Sequence, residues 1–127
     1  MIRTYLHAKL HNFVVTGCDM NYEGSISLPA DLMATADICE GEQVHVWNIS
    51  NGNRIITYAI ADERGESGRI QINGAGAHLF DLGNRIIIAA FAQMSEGEFA
   101  DRGGSRVLIH KHNDHPPNTK WIIRMDK

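Results

Sequence analysis

The sequence predicts a mainly β domain, a small closed β-barrel with short helices. Three observations carry that expectation: apolar runs of strand length follow one another closely, several alternate with period two, and helical periodicity is confined to short stretches. The chain has 127 residues, 43% of them hydrophobic. That suits one domain, residues 1–127, with a core that needs no disulfide or metal staple.

Residues 2–18 interleave Ile2, Leu6, Leu10, Phe13, Val14 and Val15 with His, Lys and Asn, which suits two short strands. Within them Lys9 and His11 share one strand face. After Ser25, Pro29 suits the first turn of a short helix whose apolar face is Leu32, Met33 and Ala36, ending before Gly41. Residues 42–49 alternate, with Val44, Val46 and Asn48 on one face and His45, Trp47 and Ile49 on the other. Asn51-Gly52 is the favoured type I′ hairpin pair, and residues 54–61 form the returning strand. Residues 63–68 make a polar, Gly-containing loop, 69–72 a short strand, and 73–78 a turn crowded with small residues. Residues 85–92 are a continuous apolar run of the buried-strand kind. Ser95 and Glu98 have capping-box spacing for a short helix over 96–101, with strands to follow at 106–110 and 121–123.

The formal net charge of −3, without basic clustering, argues against nucleic acid and against a polybasic membrane anchor. The N-terminus lacks an apolar signal core, and no apolar run approaches the ~20 residues of a membrane span. The expectation is a soluble, cytoplasmic protein. Cys18 and Cys39 read as reduced core thiols. The His-rich stretch from His110 to His115 lacks a second set of ligands, so it reads as a solvated tail and no metal is assigned.

One bond stands out chemically. In Asn21-Tyr22-Glu23-Gly24-Ser25-Ile26, a glycyl-serine bond lies between two strand-like runs. It can be an ordinary β-turn. It can also be a self-cleavage site, where the Ser25 hydroxyl attacks the Gly24 carbonyl, an ester replaces the amide, and elimination leaves residue 25 as a pyruvoyl group. An unusual backbone at Glu23-Gly24-Ser25 would favour attack by raising the ground state, with Gly24 the residue able to adopt it.

The chain resembles the aspartate 1-decarboxylase family, the pyruvoyl-dependent enzymes that make β-alanine for pantothenate and hence coenzyme A. The resemblance runs from residue 1 to about 95. It rests on the order and spacing of Met1-Ile2-Arg3-Thr4, Lys9-Leu10-His11, Tyr22-Glu23-Gly24-Ser25, Trp47-Asn48, Asn51-Gly52, Arg54, Thr57-Tyr58-Ala59-Ile60-Ala61, Glu63-Arg64-Gly65 and Asn73-Gly74-Ala75. It implies a six-stranded double-psi β-barrel, a homotetramer with sites between subunits, and a cut between residues 24 and 25. The products would be a short β chain, 1–24, and a long α chain, 25–127.

The resemblance also implies roles. Gly24, Ser25 and Thr57 belong to processing, with Thr57 holding the Gly24 carbonyl. The Ser25-derived pyruvoyl group forms a Schiff base with L-aspartate and accepts the electrons released with CO2, with no metal and no pyridoxal phosphate. Arg54 holds a substrate carboxylate through its guanidinium fork, and Lys9 adds a second positive charge. Tyr58 reprotonates the α-carbon. Thr57, Asn73, Gly74, Ala75 and Gly76 surround the substrate. Thr57 and Tyr58 are neighbours on a strand, so a twist or bulge is expected to bring both to the site.

Two positions depart from the family pattern: Gly76 replaces a more usual Ala, and the loop before Arg69 is longer by one residue. A helper protein for maturation is compatible with the family. Two other functions fit these residues, a pyruvoyl decarboxylase of another acidic amino acid and an uncleaved, non-catalytic barrel used for binding or assembly.

Overall fold

The computed structural model describes residues 1–62, 68–111 and 116–126. The expected mainly β architecture with short helices is what the chain adopts. Among the described residues, nine strands join in one hydrogen-bonded order where six were expected: β2-β6-β3-β5-β4-β7-β1-β8-β9. They are β1 (Ile2–Val14), β2 (Gly17–Asp19), β3 (Ser25–Pro29), β4 (Gln43–Asn48), β5 (Arg54–Asp62), β6 (Gln71–Asn73), β7 (Arg85–Ser95), β8 (Ser105–His110) and β9 (Trp121–Asp126). Two short helices, α1 (Ala30–Ala36) and α2 (Glu96–Asp101), complete it with a 3-10 turn over Gly74–Leu79.

Residues 2–14 form one long strand rather than two short ones. β1 pairs along its length with β7, and shifts in register at Leu6/Ala8 and His11/Phe13 absorb the irregularity that the sequence suggested as a break. Alternation works as expected in β4: Val44, Val46 and Asn48 point inward. The continuous run in β7 buries Ile86, Ile88, Ala89 and Ala90. Leu10, Phe13, Ile26, Leu28, Ile72, Ile88 and Leu108 meet in one core and are essentially inaccessible. Burying a large aliphatic side chain contributes roughly 1.5–3 kcal/mol. Ser95 caps α2, its Oγ accepting from the Glu98 amide at 3.1 Å, as its spacing predicts.

Several local expectations are corrected. Pro29 ends β3 and caps α1 with extended backbone (φ −55°, ψ 135°), so it sits one residue outside the helix. The 49–53 connection is a five-residue loop, not a type I′ hairpin. Only Gly52 takes a positive φ (+82°), and the buried Asn48 organises the turn, its Oδ1 accepting from the Ser50 amide at 2.9 Å. Cys18 and Cys39 are free thiols as expected, but both are exposed rather than in the core. His110 ends β8, the strand expected over 106–110, and is buried against Phe13, so the tail reading does not extend to it. His112, His115 and the loop at 63–67, with its additional residue, lie outside the described residues.

The segment after residue 95 ties the fold together. Asn118, buried, takes the Val14 amide proton on Oδ1 and donates from Nδ2 to the Val14 and Gly68 carbonyls, joining the end of β1 to the approach of β6. Leu10 lies on β1 between β7 and β8. Leu10→Ala is expected to cost about 2–5 kcal/mol, read from denaturant unfolding of the variant against the parent.

Candidate active site

The position of β3 decides what surrounds Gly24-Ser25. β3 lies between β6, antiparallel, and β5, parallel. Its antiparallel register sets Ser25 opposite Asn73 and Ser27 opposite Gln71. Its parallel register sets Ile26 beside Ala59. Continued back by one and two residues, that register brings Tyr58 level with Ser25 and Thr57 level with Gly24.

Ser25 is 1% exposed. Its Oγ accepts from Asn73 Nδ2 at 2.9 Å and donates to the Glu23 carbonyl at 3.2 Å. Asn73, equally buried, donates its second amide proton to Ser27 Oγ at 3.0 Å and accepts from Gln71 Nε2 at 2.8 Å. All its polar atoms are therefore engaged, as burial requires. A hydroxyl fixed in this way one residue after a glycine carbonyl can act as a nucleophile, and the Asn73 amide can stabilise negative charge on its oxygen.

The left-handed backbone beside the bond is at Gly74. Glu23, Gly24 and Ser25 all have negative φ, whereas Gly74 has φ +75°. A Cβ on Gly74 would lie 2.6 Å from Gly24 Cα and 2.8 Å from Gly24 N. The two glycine backbones touch, so glycine at 74 is required by conformation and by space together. The expected turn after Asn73 is this 3-10 segment.

A cleft of about 350 Å³ is lined by Gly24, Ile55, Ile56, Thr57, Tyr58, Asn73, Ala75 and Gly76. Most of the residues singled out from the sequence therefore converge. Of the twist or bulge expected to bring Thr57 and Tyr58 to it, the bulge is absent, because β4 and β5 pair in unbroken register from Arg54 to Tyr58. Tyr58 keeps 39% of its surface exposed. Gly76 leaves room that a Cβ would contest with Ile55 Cδ1, 2.9 Å away.

Arg54 lines an adjoining apolar groove of about 660 Å³ with His45, Trp47 and Phe91, and Ile55 and Ile56 border both spaces. Its guanidinium lies over the Trp47 ring, 4.9 Å from the centroid, which orients the fork. Lys9 does not join the cleft within one chain. It pairs with Ala89 of β7 and Val107 of β8, with β7 and β4 intervening before β5. Among the described residues, no three His, Cys, Asp or Glu side chains gather as a metal site.

Sequence reasoning missed Ser27, Asp62, Arg69 and Gln71, which back onto Ser25 from the other side. Arg69 Nη2 donates to Gln71 Oε1 at 2.7 Å, and its Nε is 3.6 Å from the buried Asp62 carboxylate. The signal was available: Arg69, Gln71 and Asn73 alternate with Ile70 and Ile72, and Ser25 and Ser27 alternate with Ile26.

The fold and site define a β protein with a buried, amide-held serine immediately after a glycine that lines a cleft carrying a tyrosine and a threonine. The family model described as aspartate decarboxylase matches residues 1–116. Proteins named aspartate 1-decarboxylase are 45% identical in Acidovorax sp. (strain JS42), over 89% of this chain and 89% of that one, and 49% identical in Albidiferax ferrireducens, over 89% and 83%. One from Burkholderia multivorans is 43% identical over 95% of this chain and 99% of its own. The chain belongs to the aspartate decarboxylase family and is a decarboxylase, a lyase.

Gly74→Ala would place a Cβ inside contact distance of Gly24 and force an L side chain into left-handed backbone. It is expected to lower stability by at least ~1 kcal/mol, measured by thermal melting with Gly83→Ala, also at positive φ but with open space around it, as the comparison.

Proposed function

We propose that the protein converts L-aspartate to β-alanine and CO2, after cutting itself between Gly24 and Ser25. The observation that carries this is the buried Ser25 hydroxyl, held by Asn73 and Glu23 directly after Gly24 and beside a cleft lined by Thr57 and Tyr58. An uncleaved structural turn has no need of such a constellation at a buried serine.

Processing begins when Ser25 Oγ adds to the Gly24 carbonyl carbon and the C–N bond breaks, so the acyl group moves from nitrogen to oxygen. Asn73 Nδ2 stabilises the serine oxygen as its proton passes to the residue 25 nitrogen, which leaves as a free amine. Thr57, level with Gly24 by strand register and lining the same cleft, steadies the carbonyl oxygen. Loss of the Cα proton of residue 25 then expels the Gly24 carboxylate. The resulting dehydroalanine tautomerises, and water replaces its nitrogen, releasing ammonia and leaving a pyruvoyl group. The products are chains 1–24 and 25–127.

The buried, hydrogen-bonded surroundings of residue 25 and the narrow approach at Gly74 suit a small group in that position. The pyruvoyl group supplies an electrophilic carbonyl for the substrate amine and a sink for the electron pair released with CO2. Tyr58 delivers the proton that the α-carbon needs afterwards. Arg54 binds a substrate carboxylate with a fork already oriented by Trp47. Asn73, Gly74, Ala75 and Gly76 bound the substrate on the opposite wall.

Lys9 reaches a site only if a second copy contributes it, which supports a homotetramer with sites between subunits. The apolar groove of Trp47, Ile56 and Phe91 supports the same assembly, with Ile56 61% and Phe91 38% exposed in the single chain. A role in making β-alanine for pantothenate follows from the product. The described residues include no helix long and apolar enough to cross a membrane, and function in the cytoplasm agrees with that pathway.

Intact mass under denaturing conditions tests the processing. The expected result is two fragments, the larger starting at residue 25 and lighter by one ammonia than a serine-started chain. A single full-length mass that persists on prolonged warming would overturn it, and Ser25→Ala should abolish cleavage and decarboxylation together.

Tyr58→Phe separates making the group from using it. It should cleave normally and lose about 10²–10⁴-fold in kcat, and full activity in that variant would remove the proton-donor role. A higher kcat/KM for glutamate than for aspartate would move the substrate assignment to the longer acid.

A further inference from the structure

We propose that Gln71 is a positioning residue for self-cleavage, fixing which face of the Asn73 carboxamide meets Ser25, with Arg69 and Asp62 anchoring it from behind. This rests on cleavage at Gly24-Ser25. The carboxamide of asparagine is almost symmetric in shape, so its orientation is decided by its partners. Here the partners form a directed series. Arg69, which can only donate, gives a proton to Gln71 Oε1 at 2.7 Å. Gln71 must then turn its nitrogen towards Asn73, and its Nε2 donates to Asn73 Oδ1 at 2.8 Å. Asn73 must in turn present Nδ2 to the serines, donating to Ser25 Oγ at 2.9 Å and Ser27 Oγ at 3.0 Å. Ser25 Oγ is left to donate to the Glu23 carbonyl.

Every bond in the series therefore points its donor towards the scissile linkage. Bonds aligned in this way polarise one another most where they are buried, and the end that meets Ser25 is buried: Asn73 is 2% exposed, while Gln71 and Arg69 behind it are half-buried, with the Arg69 side chain 27% exposed. With Asn73 reversed, Oδ1 would face both serine oxygens. The Ser25 proton would be drawn from Glu23 to Asn73, and a developing negative charge on Oγ would meet an acceptor instead of a donor. Nothing at Asn73 or Ser25 alone excludes that reversed state. Gln71, held by a donor-only guanidinium, does.

Charge polarity makes the role separable from packing. Gln71→Glu keeps the side chain's shape and strengthens its pairing with Arg69, but offers only acceptors to Asn73, so Asn73 turns its Nδ2 away from Ser25. A purely structural Gln71 would tolerate that change; a positioning one would not.

The test follows cleavage by intact mass in freshly translated full-length chain, comparing wild type, Gln71→Glu, Gln71→Ala and Arg69→Met, with a thermal melt of each. The expected result is cleavage slowed about 10- to 100-fold in Gln71→Glu, the loss of one hydrogen bond to a charged oxygen, with a cooperative melt near the wild-type midpoint. Gln71→Ala and Arg69→Met should also be slowed, and no variant should be slowed more than Gln71→Glu. Gln71→Glu cleaving at the wild-type rate overturns the proposal. So does slowing confined to variants that have lost their cooperative melt. A wild type that never cleaves overturns the self-cleavage function itself and this role with it, and is told apart by the wild-type arm.

Discussion

The hydrogen bond from Asn73 Nδ2 to Ser25 Oγ exists because β3 and β6 pair in a single register, Ser25 opposite Asn73 and Ser27 opposite Gln71. A slip of one residue would set Ile26 opposite Asn73 and turn the polar face of one strand against the apolar face of the other. The core resists that slip, since Ile26 and Ile72 are both fully buried and pair with each other. Packing of two isoleucines thus fixes the partner of a reactive hydroxyl. The close contact of Gly74 with Gly24 belongs to the same arrangement, because the chain turns immediately after Asn73 and must pass against the scissile bond.

β5 contributes on the other side of β3 in a different way. Its parallel register brings Thr57 and Tyr58 alongside Gly24 and Ser25, while Arg54, earlier on the strand, looks into the neighbouring groove. One strand therefore supplies the residues proposed for making a prosthetic group and those proposed for using it, spaced along its length. The polar series from Asp62 through Arg69 and Gln71 approaches the same serine from a second cleft, of about 370 Å³, that also contains Tyr22 and Ser27. Gly24 lines the first cleft and Ser27 the second, with the buried Ser25 between them in the chain.

Much of this was legible in the residues themselves. The inward face of β4, the buried run of β7 and the Ser95 cap follow from period-two alternation, apolar continuity and capping geometry, all local properties. Other features were hidden for identifiable reasons. β1 runs unbroken through Leu6–Phe13 because β7 supplies a continuous partner that absorbs two register shifts, and a partner 80 residues away leaves no local trace. The Asn51-Gly52 pair gave way to a wider loop because Asn48, buried and bonded to Asn84, already holds the backbone there. His110 looked like part of a polar tail, yet strand pairing with β9 and contact with Phe13 bury it. The polar alternation Arg69-Gln71-Asn73 was visible, but its meaning depended on which strand lay opposite.

The sequence by itself determined the chemistry available: a glycyl-serine bond, a tyrosine and a threonine side by side, an arginine on the same strand and an Asn-Gly pair further on. Those are covalent facts, and their order along the chain places it in its family. The tertiary structure decided which of them meet. It set Asn73 on Ser25, put a left-handed glycine at Gly74 against Gly24, and brought Thr57 and Tyr58 to one cleft without a bulge. It also left Lys9 on β1, with two strands between it and β5. The reason is physical: residue type fixes what a group can donate, accept or attack, whereas distance and direction come from strand register, and register is settled by burial across the whole core.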